Sequence, residues 1–104
     1  GSFQAIRHKI AMMATRTEAS RAFAYDTLRR FHEGEVVVRE VSMSKLDSQR
    51  ALVDIADEAI QIHGGYGYMR EYEVERALRD ARLGPIGGGT DEVMMEIIGK
   101  TYGL

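Results

Sequence analysis

With 104 residues, 44% of them hydrophobic, a formal net charge of −2 and no cysteine, the chain has room for one small domain in which folding buries ~60–65% of the unfolded surface. The hydrophobic content argues against disorder, and the near-neutral charge against a nucleic-acid footprint or an acidic tail. The absence of cysteine excludes a disulfide scaffold, a cysteine nucleophile and a thiolate metal site, and no apolar run approaches the ~18 residues of a membrane span.

Gly1-Ser2 reads as a cloning scar before a domain at 3–104, and no signal peptide is visible. On that reading the domain is cut short at its N-terminal side. Proline occurs once, at Pro85, and glycine is missing from 2–33 and from 35–63. Two long blocks without helix breakers predict two long helices. The first, about Phe3 to His32, sets Phe3, Ile6, Ile10, Met13, Thr17, Ser20, Ala24, Leu28 and Phe31 at helical spacing, with Arg7, Lys9, Arg16, Glu18, Arg29 and Arg30 on the other face. Such a helix spans roughly 45 Å at ~1.5 Å per residue. Gly34 stops it, because glycine accepts the left-handed conformation at a helix end.

The second block, about Val37 to His63, has the stripe Val37, Val41, Ser44, Ser48, Leu52, Ile55, Ala59 and Ile62. In both stripes the small residues stand mid-helix, which predicts an antiparallel pair with a tight waist. After "HGGYGYM" a shorter helix is expected from about Glu71 to Arg82, with Glu75–Arg79 and Arg76–Asp80 as i,i+4 pairs worth only ~0.3–0.5 kcal/mol each. Pro85 and the triplet Gly87–Gly89 end it. The last helix runs from about Asp91 to Thr101, burying Val93, Met94, Ile97, Ile98 and Tyr102. No stretch alternates with period two. The expected fold is all-α, a four-helix antiparallel bundle of two long and two shorter helices.

Little in these residues carries chemistry unaided. His8, His32 and His63 lie far apart, and no pair has the spacing of helix metal ligands, so no metal site is expected. His63 ends a helix, where capping or packing is the ordinary role and catalysis the alternative. In "QIHGGYGY" one glycine is explained by a helix stop. The run of Gly64, Gly65 and Gly67 among Tyr66 and Tyr68 also suits close approach of a flat ligand or another chain. Thr90 is a good N-cap, and Asp91 and Glu92 suit the positive end of the last helix. Those carboxylates would repel a bare phosphate, so hydroxyl or ring contact is the easier reading there, and no P-loop lysine follows. No nucleophile stands beside a base.

Three motifs, however, occur together: Gln61-x-His63-Gly64-Gly65-x-Gly67-Tyr68, then Glu71-Tyr72-x-x-Glu75-Arg76-x-x-Arg79-Asp80-Ala81-Arg82, then Gly89-Thr90-x-Glu92. With "FQAIRHKIAMM" upstream, they resemble the C-terminal helical domain of the acyl-CoA dehydrogenase family over nearly the whole chain. The resemblance implies an oxidoreductase acting on CH–CH bonds. In the family a carboxylate removes the α-proton of an acyl-CoA, a hydride passes from the β-carbon to FAD, and trans-2-enoyl-CoA results. Electrons then go to electron-transfer flavoprotein. It also implies a homo-oligomer, a dimer or a dimer of dimers with this bundle at its core, and a site in the bacterial cytoplasm or the mitochondrial matrix.

By position, the resemblance assigns FAD contact to Gln4, to Gln61, Ile62, His63, Gly64 and Gly65 (the flavin of a neighbouring subunit), and to Thr90, Asp91 and Glu92. It assigns acyl-CoA contact to Gly88 and Gly89. Many members carry the catalytic glutamate where Gly88 stands, and glycine cannot abstract a proton. The long-chain and isovaleryl branches supply that acid from an earlier helix, which would precede Phe3, so this chain resembles them and no catalytic residue is expected within it. The family arginine upstream of Gln4 is also absent, and many members have proline where Glu73 stands. The isolated 104 residues are therefore expected to be inactive alone. A non-catalytic acyl-CoA dehydrogenase-like assembly or scaffold protein is the alternative.

Overall fold

The computed structural model describes the backbone of residues 2–63, 73–82, 86 and 89–104, with side chains described for 4–62, 76, 77, 79–81, 86 and 89–104. Four α-helices and no strand are found among them: α1 (Ser2–His32), α2 (Val38–His63), α3 (Glu73–Arg82) and α4 (Asp91–Thr101). Each lies within two residues of its expected bounds. The long dimension of 47 Å is that of α1, 31 residues at ~1.5 Å rise.

Two of the helix ends show why glycine stands where it does. At the end of α1 the Glu35 N–H donates to the Arg30 carbonyl and the Gly34 N–H to the Phe31 carbonyl, with Gly34 at φ +87°. At the end of α4 the Leu104 N–H donates to Gly99 and the Gly103 N–H to Lys100, with Gly103 at φ +80°. Both are Schellman closures, in which a left-handed residue turns the chain so that outer amides reach orphan carbonyls. The first of them folds α2 back along α1.

Antiparallel register is fixed by cross-pairs. Lys9 meets Glu58 at 3.5 Å, Arg16 meets Asp54 at 2.5 Å, the Ser20 hydroxyl donates to Asp47 at 2.6 Å, and Arg30 reaches Glu40 at 3.8 Å. α4 also runs antiparallel to α2, since Asp91 pairs with Arg50 and Thr101 with Arg39. Among the described residues α2 is the hub: α1, α3 and α4 each pack on it, and α1 touches neither α3 nor α4.

That hub corrects the expected stripes. On α1 Thr27 is buried and Ile6, Lys9, Met13, Arg16, Ser20, Phe23 and Arg30 are partly so, whereas Ile10, Leu28 and Phe31 are half or more exposed and Thr17 and Ala24 face solvent. The buried seam tilts toward the basic side because Lys9, Arg16 and Arg30 lay their aliphatic stems across it to reach acids on α2. The waist is close but polar, with Ser20 bonded to Asp47. On α2, Val41 and Leu52 are exposed, and Ser42, Ala51 and Ala56 are buried instead. A helix with three neighbours has no single buried stripe, and small residues let those neighbours come near. On α4, Met94 is buried and Ile97 and Ile98 are partly so, but Val93 and Tyr102 are about half exposed.

The core is thin: Val37, Ala51, Ala56, Ala81 and Met94 are its buried apolar members among the described residues. The Arg76–Asp80 pair forms at 3.7 Å on the surface, while Glu75 lies outside the described side chains. Near the end of α1, Arg29 is hydrogen-bonded by Asp26 and then by Glu33, which raises its pKa above the usual arginine value. Because a raised base loses its stabilising effect only as pH climbs past its folded pKa, this pair does not make the fold sensitive to pH near neutrality.

Candidate functional site

The residues implicated by sequence fall in two places. The Lys9–Glu58 contact sets Gln4 level with the last turn of α2, where Gln61 is exposed and Ile62 partly buried. Gln4 is exposed as well. The His63 side chain and Gly64, Gly65, Tyr66, Gly67 and Tyr68 lie outside the described residues. The second place is the turn at Gly89–Glu92. It meets α2 at Arg50, eleven residues before Gln61, or ~16 Å down the α2 axis. Gly87 and Gly88 lie outside the described residues. No one aromatic ring system reaches across that span, so the two clusters would meet different rings or different parts of one extended cofactor.

The turn is built from local rules. Thr90 is the N-cap of α4, in extended backbone (φ −69°, ψ 165°), and its hydroxyl oxygen accepts from the Val93 N–H at 3.2 Å. The Met94 N–H donates to the Thr90 carbonyl at 3.0 Å. Gly89 holds φ +118°, and a Cβ there would lie 2.9 Å from the Met94 methyl. Glycine is thus favoured at 89 by its dihedral angle, with the flexible Met94 methyl adding a contact that a Cβ would have to push aside.

The acids of the first turn diverge. Glu92 is exposed. Asp91 is only 2% exposed, and its Oδ2 accepts from Arg50 Nε. Asp91 Oδ1 is buried with no hydrogen-bond partner among the described residues. The expectation that two carboxylates repel an anion here is therefore halved, because Arg50 neutralises one of them. Lys45, one and a half turns before Arg50, donates from Nζ to the Gly89 carbonyl at 2.8 Å. At the far end of α4, Arg39 donates to the Thr101 hydroxyl at 2.8 Å and carbonyl at 2.6 Å, and its guanidinium lies 3.7 Å from the Tyr102 ring centroid.

Lys45, Arg50 and Arg39 escape a reading of the sequence, since their partners stand 41 to 62 residues away. No local pattern marks such pairings. Among the described residues there is no group of three histidine, aspartate or glutamate side chains placed to hold a metal ion, and no helix long and apolar enough to cross a membrane.

Comparison with known proteins decides the family. Residues 1–103 match the model described as "Acyl-CoA dehydrogenase, C-terminal domain". The chain belongs to the acyl-CoA dehydrogenase family. It is 45% identical over 97 residues to an acyl-CoA dehydrogenase of Bacillus subtilis, covering 93% of this chain and 26% of the relative. It is 41% identical over 96 residues to the caffeyl-CoA reductase–Etf complex subunit CarC of Acetobacterium woodii, covering 92% of this chain and 25% of the relative. A crystal structure of a probable acyl-CoA dehydrogenase from Mycobacterium abscessus superposes with a TM-score of 0.92 at 46% identity, over 95% of this chain and 26% of that one. Mitochondrial long-chain and short/branched-chain enzymes are also among its relatives. The chain thus spans about a quarter of the length of the acyl-CoA dehydrogenases it matches.

The family is FAD-dependent, and the residues present fit a flavin at the turn. The Thr90 hydroxyl uses its oxygen on the Val93 amide, which leaves its proton to donate, with no acceptor for it among the described residues. Ring carbonyls and ring nitrogens are acceptors of that kind. The Gln4 and Gln61 amides supply further donors and acceptors at the other cluster.

Proposed function

We propose that the chain is the C-terminal helical part of a flavin-dependent acyl-CoA dehydrogenase of the long-chain or isovaleryl type. In that role it supplies one wall of the FAD and acyl-CoA site but not the catalytic base. The observation that carries this is the half-buried Thr90 cap, whose hydroxyl proton has no acceptor among the described residues, next to Gly89, whose backbone carries no side chain. Thr90 would hydrogen-bond a ring acceptor. Gly88 and Gly89 would admit the thioester where any side chain would fill the space. Gln4, Gln61, Ile62, His63, Gly64 and Gly65 would serve the second cluster. FAD, when bound, would take up the hydride released from the acyl β-carbon.

The α-proton needs another carboxylate. Asp91 is tied to Arg50, and Glu92 points to solvent beside a turn already capped. The base is therefore assigned outside positions 3–104. The apolar face of Leu28, Phe31, Val36, Val38 and Val41 favours burial against the rest of the parent and against further copies in a homo-oligomer. The kinship with an Etf-complex subunit supports electron-transfer flavoprotein as the redox partner, taking electrons when the reaction runs as a dehydrogenation, and the cysteine-free composition suits the bacterial cytoplasm or the mitochondrial matrix.

The test is flavin bleaching by acyl-CoA under anaerobic conditions. The full-length parent is expected to bleach and the 104-residue chain is not. Bleaching by the short chain alone would overturn its assigned inactivity. A parent that binds FAD and acyl-CoA yet never bleaches would favour the scaffold reading, which Gly88 permits.

A further inference from the structure

The turn that would face the flavin is not held by α4 alone. Two cations on one helix, Lys45 and Arg50 of α2, grip it at successive points: Lys45 Nζ on the Gly89 carbonyl at 2.8 Å, and Arg50 Nε on Asp91 Oδ2. Between the Gly89 carbonyl and Asp91, the two gripped points, stands the Thr90 cap, entered through the positive φ (+118°) of Gly89. The buried state of Asp91, 2% exposed, is not what a carboxylate at a helix N-terminus requires, since favourable interaction with the helix dipole is available at the surface. Burying a carboxylate is costly unless it is paired, and breaking such a pair by removing one partner is more so. A site that keeps this charge inside obtains fixed geometry from it.

We propose that Arg50 and Asp91, with Lys45, form a latch that sets the position of the Gly89–Thr90 backbone against the flavin and thioester, so that Asp91 acts on the reaction through the turn and not by touching the cofactor. This rests on the functional reading above. The pair joins residues 41 apart in sequence, and it makes α2 the reference frame for the site. Small displacements of a positioning element can cost up to about a hundredfold in rate. The effect of loosening the latch therefore falls on kcat more than on KM.

The experiment is a double-mutant cycle in the full-length holoenzyme with Arg50→Gln, Asp91→Asn and the double variant, plus Arg50→Lys. Four readouts are taken: the FAD dissociation constant, kcat and KM, the bound-flavin spectrum, and amide exchange at Val93 and Met94, whose N–H groups bond to Thr90. A latch predicts that each single variant lowers kcat about tenfold with KM within about twofold, weakens FAD several-fold, and speeds exchange at those two amides. It also predicts that the double variant is no worse than Arg50→Gln and that Arg50→Lys recovers at least half of the loss. Additive effects, with a shifted flavin spectrum from Asp91→Asn alone, would show direct contact and overturn the proposal. Unchanged exchange, or a loss of thermal stability with FAD affinity and kcat intact, would overturn it too. A wild-type parent that takes up no FAD would sink the functional reading itself. Exchange at Val93 and Met94 would then still report whether the grip exists.

Discussion

The α1–α2 hairpin and the α2–α4 junction are joined to the same helix by opposite means. Along the hairpin Lys9–Glu58 and Arg16–Asp54 join side chains 40% or more exposed, although Glu58 Oε2 itself is buried and Glu40, the partner of Arg30, is only 13% exposed, and large apolar side chains such as Phe31 (61% exposed) and Val36 (87% exposed) face outward. At the junction the links are few, but they end on buried or part-buried groups: Asp91, the Gly89 carbonyl, Thr101 and Met94. Exposed ion pairs contribute ~0–1 kcal/mol and bend easily, so the hairpin provides length and an apolar surface. Buried polar pairs are intolerant of displacement, so the junction provides position. The division suits a wall that must be covered on one side and exact on the other.

Removing Arg50 tests that contrast most severely. Arg50→Ala leaves the Asp91 carboxylate buried and uncompensated, and about 3 kcal/mol of stability should be lost, seen as a lower midpoint in urea unfolding. Asp91→Ala should cost less, about 1–2 kcal/mol, because Arg50 is 48% exposed and can turn into water. Equal losses would mean that the two ends of the pair are equally buried in solution, against the asymmetry described. Next in size is Gly89→Ala. The Met94 methyl is the end of a flexible chain and can yield, but φ +118° cannot, so about 2 kcal/mol is expected. Gly34→Ala, where nothing stands within 4 Å of the added carbon, should cost only the left-handed strain, about 1 kcal/mol.

Much of the fold was legible in the sequence, and for definite reasons. Glycine and proline punctuate this chain so sparingly that the bounds of α1, α2 and α4 follow from Gly34, from Gly64 and from the Gly89–Thr90 turn. The buried faces were less legible. Apolar character alone puts Leu28 and Phe31 inside, whereas Lys9, Arg16 and Arg30 take the seam because α2 carries matching acids 10 to 49 residues away in sequence. Thr90 as a cap was readable from its neighbours alone. Asp91 was not: its type and place suit a surface acid at a helix start, and only the fold brings Arg50 to it. Lys45 escaped for the same reason, since a carbonyl partner leaves no trace in composition.

Arg39 probes the junction at its other end. It holds the last turn of α4 through Thr101 and covers the Tyr102 ring. Arg39→Ala should cost about 1–2 kcal/mol, with Arg39→Lys recovering little, because an ammonium cannot bond two acceptors and lie flat on a ring at once. Full recovery by lysine would show that charge alone matters there, and the junction would then resemble the hairpin.

The smallest effect is expected on the hairpin itself. Arg16–Asp54 is short, at 2.5 Å, but its side chains are 40% and 58% exposed. Solvent screening therefore outweighs the close approach, and Arg16→Ala should change stability by less than about 0.5 kcal/mol. Raising salt from low to high concentration should erase even that difference, while leaving the Arg50→Ala deficit largely intact, because salt screens exposed charges far more than buried ones. Measuring both variants across a salt series therefore separates the two regions by their electrostatics alone. If Arg16→Ala proved as costly and as salt-independent as Arg50→Ala, the hairpin seam would have to be dry in solution, and the outward apolar face would be covered by self-association, which light scattering across concentration would detect.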